Sequence, residues 1–190
     1  LNCENQNKTT FVGSVILPVR FLSVLKNHLN DEEITKLIGD NHALVKTSEA
    51  EIATRIINQK YPDYDSVIPG DNDKNILIDK EKILSSVKRV LIFSNRATNQ
   101  ISLNFKENEI KVFTQDQENV STGEETIPCK YLGEEFLIGF NGEYLKETIE
   151  HQNNGDIEIK MKSPVSAAIF KTKEKDKDFK MLSLLMPIRI

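Results

Sequence analysis

The 190-residue sequence predicts an α+β fold in which β-α-β-β-β units repeat, with helices on one face and antiparallel sheet on the other. Three observations carry that prediction. A short apolar strand running into an amphipathic helix occurs three times, in VILPVRFLSVLKNHL, ILIDKEKILSSVKRVL and FLIGFNGEYLKETI. The anchor leucines Leu22, Leu84 and Leu145 are evenly spaced, 62 residues from the first to the second and 61 from the second to the third. A fixed period of this kind marks a repeated supersecondary unit. Each helix is then followed by stretches that alternate apolar and polar residues with period two, the pattern of half-buried strands.

In the first unit, Pro18 suits a first helical turn, where its missing N–H leaves no bond unmade. ITKLIGDNHALVKT folds back around Asp40-Asn41, and AEIATRII supplies the third strand. In the second unit Asp79 is a favoured N-cap, because its carboxylate accepts from the exposed N–H groups of the first turn. Ile83, Leu84, Val87, Val90 and Leu91 make one stripe at helical period. Lys82, Ser85, Lys88 and Arg89 lie elsewhere, mostly facing away from it. ISLNFKENEIKVFT puts Ile101, Leu103 and Phe105 on one face, turns at Glu107-Asn108 and returns with Ile110 and Val112, and EETIPCKYL follows. In the third unit Asn141 is the N-cap, IEIKMKSPVSAAIF turns at Ser163-Pro164, and MLSLLMPI closes the chain.

Units two and three pair into one domain, residues 72–190. Unit one, residues 1–60, has no partner in the chain and reads as the second half of a similar domain. Residues 61–71, which hold YPDYDSVIP, join the two. The prolines fix their own φ and restrict the residues before them, so this linker is stiff. The chain begins with Leu1, not Met, so a piece of a longer protein is the expectation.

Composition narrows the function. Net charge is −4, which argues against a generally basic nucleic-acid binder while leaving room for local basic patches. No run of eighteen apolar residues predicts a membrane span, and no signal segment opens the chain. Cys3 and Cys129 lack a CxxC companion, which fits a reducing cytosol. His28 continues the stripe of the first helix and His42 sits in a hairpin, so both read as structural; His151 is the third histidine. HExxH, GxSxG, Walker and GxGxxG motifs are absent. The alternating charges of EKDKD, Glu174 to Asp178, read as a solvated loop, and GEET, Gly123 to Thr126, as a modest acidic edge. No enzyme site, metal or cofactor is predicted.

YPDYDSVIP, FLIGFNGEYL and the C-terminal LLMPIRI together resemble the bacterial DNA polymerase III β subunit, the sliding clamp, from about Ser14 to Ile190. The Met-Pro-x-Arg-aliphatic ending is distinctive at an extreme C-terminus. The resemblance implies the DNA-clamp fold: a homodimeric ring of three similar domains per protomer, each built of two β-α-β-β-β halves, with helices lining the pore and sheets forming the outer wall. Residues 1–60 would be the second half of the middle domain, 61–71 the interdomain linker and 72–190 the C-terminal domain.

The implied role is a non-catalytic, cytoplasmic processivity factor. A ring linked topologically to duplex DNA keeps a tethered polymerase at high effective concentration. Phosphate contacts in the pore would be loose and independent of sequence, with Arg20, Lys26, Lys82, Lys88, Arg89 and Arg96 as candidates. DNA polymerase and clamp-loader subunits would dock short linear peptides in a groove between the middle and C-terminal domains. The matching groove positions are Pro62, Val67, Leu184, Met186, Pro187, Ile188 and Arg189, with Asn141 and Tyr144 nearby. Apolar groups and a flexible methionine suit many related peptides. Ile92 and Phe93 match an apolar contact of the homodimer interface. Ser66 departs from an arginine common in the family, and Ala167 stands where a serine can occur. Two other readings are a non-replicative α+β scaffold or binding module and a carboxylate-dependent hydrolase. The absence of a paired carboxylate motif argues against the hydrolase.

Overall fold

The computed structural model describes residues 13–29, 34–48, 50–172 and 181–190. Cys3 and the charged run Glu174 to Asp178 lie outside them. The chain divides into two compact units, Leu1–Asp63 and Tyr64–Ile190.

In the first unit, helix α1 (Val19–Lys26) precedes strands β1 (Thr35–Ile38), β2 (His42–Lys46) and β3 (Glu51–Arg55). The strands form an antiparallel sheet in that order. Pro18 is the N-cap of α1 and not its first helical residue; its ψ of 138° is extended, and its carbonyl accepts from the amides of Phe21 and Leu22. The β1–β2 turn spans the predicted Asp40-Asn41 and is closed by the Gly39 amide on the His42 carbonyl, 2.9 Å. The strand expected ahead of α1 is reduced to one antiparallel bridge, Ile16↔Ile57. His28 is not on the apolar stripe: α1 ends at Lys26, and the ring is exposed and donates from Nδ1 to the Val24 carbonyl, 3.1 Å. Phe21, Leu25 and Val45 form a small core, with Leu17, Ile34 and Ile52 against it.

The second unit starts with a 3-10 turn, Asp65–Val67, followed by β4 (Lys74–Asp79), α2 (Lys80–Leu91), β5 (Gln100–Lys106), β6 (Glu109–Asp116) and β7 (Ser121–Pro128). Then come β8 (Phe136–Asn141), α3 (Gly142–Glu150), β9 (Asp156–Met161), β10 (Ala168–Thr172) and β11 (Ser183–Leu185). Both predicted caps form. The Asp79 carboxylate accepts from the Lys82 amide, 2.9 Å, and the Asn141 side-chain oxygen from the amides of Glu143 and Tyr144, 3.0 and 3.3 Å. Ile83, Leu84, Val87 and Val90 are buried as the stripe requires, and Leu91 packs at the core's edge.

The strands form two four-stranded antiparallel sheets, β7-β6-β5-β8 and β11-β10-β9-β4. Each sheet takes three strands from one repeat and the first strand of the other. The two sheets also meet at both edges. Leu77 of β4 bridges to Lys130, just past β7, and Gly139 of β8 bridges to Ile188, past β11. Each bridge pairs backbone groups that would otherwise lie open at a sheet edge. α2 and α3 pack side by side, α2 against β4 to β7 and α3 against β8 and β11. The core lies between helices and sheets and includes the fully buried Phe105, Phe140, Phe170, Ile101, Leu103, Leu145 and Ile149.

Lys80 is a buried lysine with a structural explanation. Its Nζ donates to the carbonyls of Glu150 and Gln152 at 3.2 and 2.7 Å. These lie at the C-terminal end of α3, where carbonyls lack helical partners and the dipole favours a cation. Burial pushes the Cys129 thiol up to about 11, with the Glu109 charge adding to it.

Several carboxyls of this unit are held below their ordinary range. Lys162 does this for Asp71, the Asn119 amide for Asp116, Arg89 for Glu125, Asn104 for Glu135 and Lys88 for Glu150. A depressed folded-state pKa gives stability that is present above the unfolded pKa and lost as pH falls through the folded one. The thermal midpoint should therefore hold from neutrality to about pH 5 and decline toward about pH 3. Melts across that range test this, and Glu125→Gln should flatten part of the decline.

Candidate functional site

The second unit's C-terminal strand and tail meet the junction of β8 with α3. In β11, Leu184 pairs with Ile169 of β10, and alternation sends Leu185 into the core. Leu184 and Met186 therefore fall on the opposite face, Leu184 half-buried and Met186 61% exposed. Past β11 the chain crosses to the other sheet, where the Ile188 amide donates to the Gly139 carbonyl, 2.9 Å. That antiparallel register brings Met186 level with Asn141. Pro187 and Ile188 are half-buried, and Arg189 and Ile190 are exposed.

Asn141 is committed structurally. Its oxygen caps α3 while its Nδ2 donates to the Thr98 carbonyl, 3.3 Å. Tyr144, in the first turn of α3, has an exposed ring. Val67 is exposed on the 3-10 turn, which the Val67 amide closes on the Tyr64 carbonyl. Pro62 is exposed in the first unit, and Ser66 is exposed on the same turn as Val67. Ala167 is buried, and its carbonyl accepts from the Asn72 side chain, 3.3 Å.

Sequence reasoning missed Gly139. A Cβ there would lie 2.8 Å from Ile190 Cγ1 and 3.2 Å from the Ile188 carbonyl oxygen, so the tail rests on a position where no side chain fits. The available signal was a glycine inside the apolar run FLIGF, since strand glycines often mark close backbone approach.

The six basic candidates divide. Lys88 pairs with Glu150 at 2.7 Å, and Arg89 grips Glu125 with two bonds, 2.5 and 2.8 Å. That carboxylate holds the Arg89 guanidinium above its ordinary range. Arg20, Lys26 and Lys82 are exposed on α1 and α2 and carry no ion pair among the described residues. Arg96 is exposed in the turn after α2 and not on a helix. The acidic GEET segment lies in β7, an edge strand, where Glu124 meets Lys111 at 2.7 Å and Glu125 meets Arg89.

Ile92 and Phe93, just after α2, are 76% and 45% exposed. The Phe93 ring packs over Gly123, where a Cβ would come within 2.7 Å of it, and the Ser121 hydroxyl donates to the Phe93 carbonyl, 2.9 Å. Ile92 borders an open depression of about 470 Å³ lined by Lys88, Leu91, Glu143, Lys146 and Glu150. Among the described residues no three His, Cys, Asp or Glu side chains group to hold a metal, and no helix is long and apolar enough to cross a membrane.

Comparison with known proteins agrees with this architecture. Residues 65–189 match the family described as DNA polymerase III beta subunit, C-terminal domain. Beta sliding clamps of Synechococcus elongatus and Haemophilus influenzae are 26% and 27% identical over 182 and 179 residues, 93% of this chain and 48% of each relative. A crystal structure of the Pseudomonas aeruginosa sliding clamp, DNA polymerase III subunit beta, bound to griselimycin superposes with a TM-score of 0.86 at 23% identity. It covers 99% of this chain and 50% of that one. The chain thus spans about half the length of the relatives it matches. With the matched span covering most of its length and the exchanged-strand fold in place, the chain belongs to the DNA polymerase III beta subunit family.

Proposed function

We propose that this chain is the C-terminal part of a β sliding clamp, a non-catalytic processivity factor of the cytoplasm that encircles duplex DNA as a homodimeric ring. Residues 1–60 are the second half of its middle domain, 61–71 the linker and 72–190 the C-terminal domain. Polymerase and clamp-loader subunits dock short peptides on Val67, Asn141, Tyr144, Leu184, Met186, Pro187, Ile188 and Arg189, and Pro62 of the linker is a further candidate. The observation that carries this reading is the tail. It is clipped to β8 by a single backbone bond, while Met186 and Tyr144 stay open to solvent. An apolar surface held in place but left uncovered is what a docking peptide requires. The Pseudomonas aeruginosa clamp with this fold holds griselimycin.

Arg20, Lys26, Lys82, Lys88, Arg89 and Arg96 supply the DNA-facing charge. Of these Arg20, Lys26, Lys82 and Arg96 are the better candidates, because Lys88 and Arg89 are already neutralised by carboxylates. Ile92 and Phe93 form the apolar part of the ring interface. Fluorescence anisotropy with a Gln-Leu-x-Leu-Phe peptide tests the docking site. Saturable, displaceable binding that Met186→Glu weakens about tenfold or more is expected. Binding unchanged by Met186→Glu would overturn the assignment.

A further inference from the structure

The sequence holds two Asn-Gly pairs, Asn141-Gly142 and Asn154-Gly155. In such a pair the glycine nitrogen can close on the asparagine side-chain carbonyl, because the second residue has no Cβ to obstruct the approach. Ring closure needs two groups to be available, the asparagine side chain and the glycine N–H. The fold treats the two pairs in opposite ways.

At Asn141-Gly142 both groups are held. The Asn141 oxygen caps α3 by accepting from the amides of Glu143 and Tyr144, and its Nδ2 donates to the Thr98 carbonyl. The Gly142 amide donates to the Asn99 carbonyl at 2.6 Å. Gly142 is also buried, its Cα packed against Leu91 and Ile101.

At Asn154-Gly155, in the turn from α3 to β9, neither group is held. Both residues are exposed, and among the described residues neither the Asn154 side chain nor the Gly155 N–H makes a hydrogen bond. Gly155 has a φ of 104°, a backbone conformation that side-chain-bearing residues rarely adopt. The turn therefore requires glycine at the position that makes Asn154 reactive.

We propose that Asn154 is a site of spontaneous deamidation, while Asn141 is protected by the fold. The Gly155 nitrogen gives up its proton and bonds to Asn154 Cγ. The side-chain nitrogen takes up a proton and leaves as ammonia, which closes a succinimide. Water then opens the ring. Cleavage between nitrogen and Cγ gives aspartate, and cleavage between nitrogen and the main-chain carbonyl carbon gives isoaspartate. Either product adds one negative charge to a chain of net charge −4. Isoaspartate also inserts a methylene into the main chain just before Gly155.

That insertion falls on a junction. The Gly155 carbonyl accepts from the Lys80 amide at 3.1 Å, in the first turn of α2. Lys80 Nζ is held by the Glu150 and Gln152 carbonyls on the other side of the same turn. Asp156 then opens β9 opposite Asp79, the N-cap of α2. Isoaspartate at 154 therefore pulls the Gly155 carbonyl off α2 and loosens the start of that helix. The proposal is independent of the clamp reading.

Ageing the 190-residue chain in mildly alkaline buffer, with peptide mapping by electron-transfer mass spectrometry, tests this. Asn154 should convert to a mixture containing isoaspartate, and Asn141 about tenfold or more slowly, since its cap and the Gly142 bond must first open. In urea the two pairs should convert at similar rates. Hydrogen exchange at the Lys80 amide should be faster in the isolated isoaspartate form than in the unaged chain, and unchanged in Asn154→Asp, which adds the charge without lengthening the backbone. Asn154 that stays intact, or Asn141 that keeps pace with it in the folded chain, overturns the proposal. A slow Asn141 in urea would assign the difference to neighbouring residues and overturn protection by the fold. Equal Lys80 exchange in the isoaspartate and unaged forms overturns the link to α2.

Discussion

Replacing Phe140 with alanine is expected to cost the second unit about 3–5 kcal/mol, the range for emptying a buried aromatic site. Phe140 lies in β8 of one sheet, is fully buried, and meets Phe170 of β10 in the other sheet edge to face, with ring centroids 6.4 Å apart. The cavity would open within a core packed by residues of both sheets and both helices, which relaxes only partly into the space left behind. A domain of this size has about 5–15 kcal/mol of total stability. The loss is therefore a large fraction, and the unfolding midpoint in denaturant should drop sharply. Phe140→Leu, which keeps most of the volume, should cost much less. Circular dichroism through a urea titration measures both. A penalty below about 1.5 kcal/mol for the alanine variant would mean that this pair does not join the sheets.

Gly139→Val is expected to act on binding more than on folding. The strand itself favours a β-branched residue. The tail does not, because the new Cβ would sit 2.8 Å from Ile190 Cγ1 and 3.2 Å from the Ile188 carbonyl oxygen. The tail is the lighter element and should move, breaking the bond between the Ile188 amide and Gly139 and carrying Met186 and Arg189 out of position. Peptide affinity should fall about tenfold or more, while the unfolding midpoint shifts far less than for Phe140→Ala. Anisotropy and exchange at the Ile188 amide report the two effects separately. Wild-type affinity with an unchanged Ile188 amide would show that Gly139 does not set the tail's position.

The caps show what can be read locally. Asp79 and Asn141 precede helices in the sequence and cap them in the structure, because capping depends only on a side chain and amides two or three residues away. The stripe of α2 and the Glu107-Asn108 turn are legible for the same reason, the latter with Asn108 at a positive φ of 58°. His28 marks the limit: helical periodicity continues past Lys26 in the sequence, but the helix stops there. The site was partly legible. Met186, Pro187 and Arg189 stand out as a motif, whereas the glycine beneath them does not, since its neighbours are nearly fifty residues away in the chain.

By itself the sequence determined the repeating unit, its elements and the side each presents to the core, since period and capping are fixed by near neighbours. Only the tertiary structure decided that first strands are traded between repeats, that the tail closes one sheet edge, and which basic residues carboxylates already hold. Those outcomes depend on backbone groups and charges far apart in the chain finding partners, and residue order alone does not record which distant edge is free to receive them.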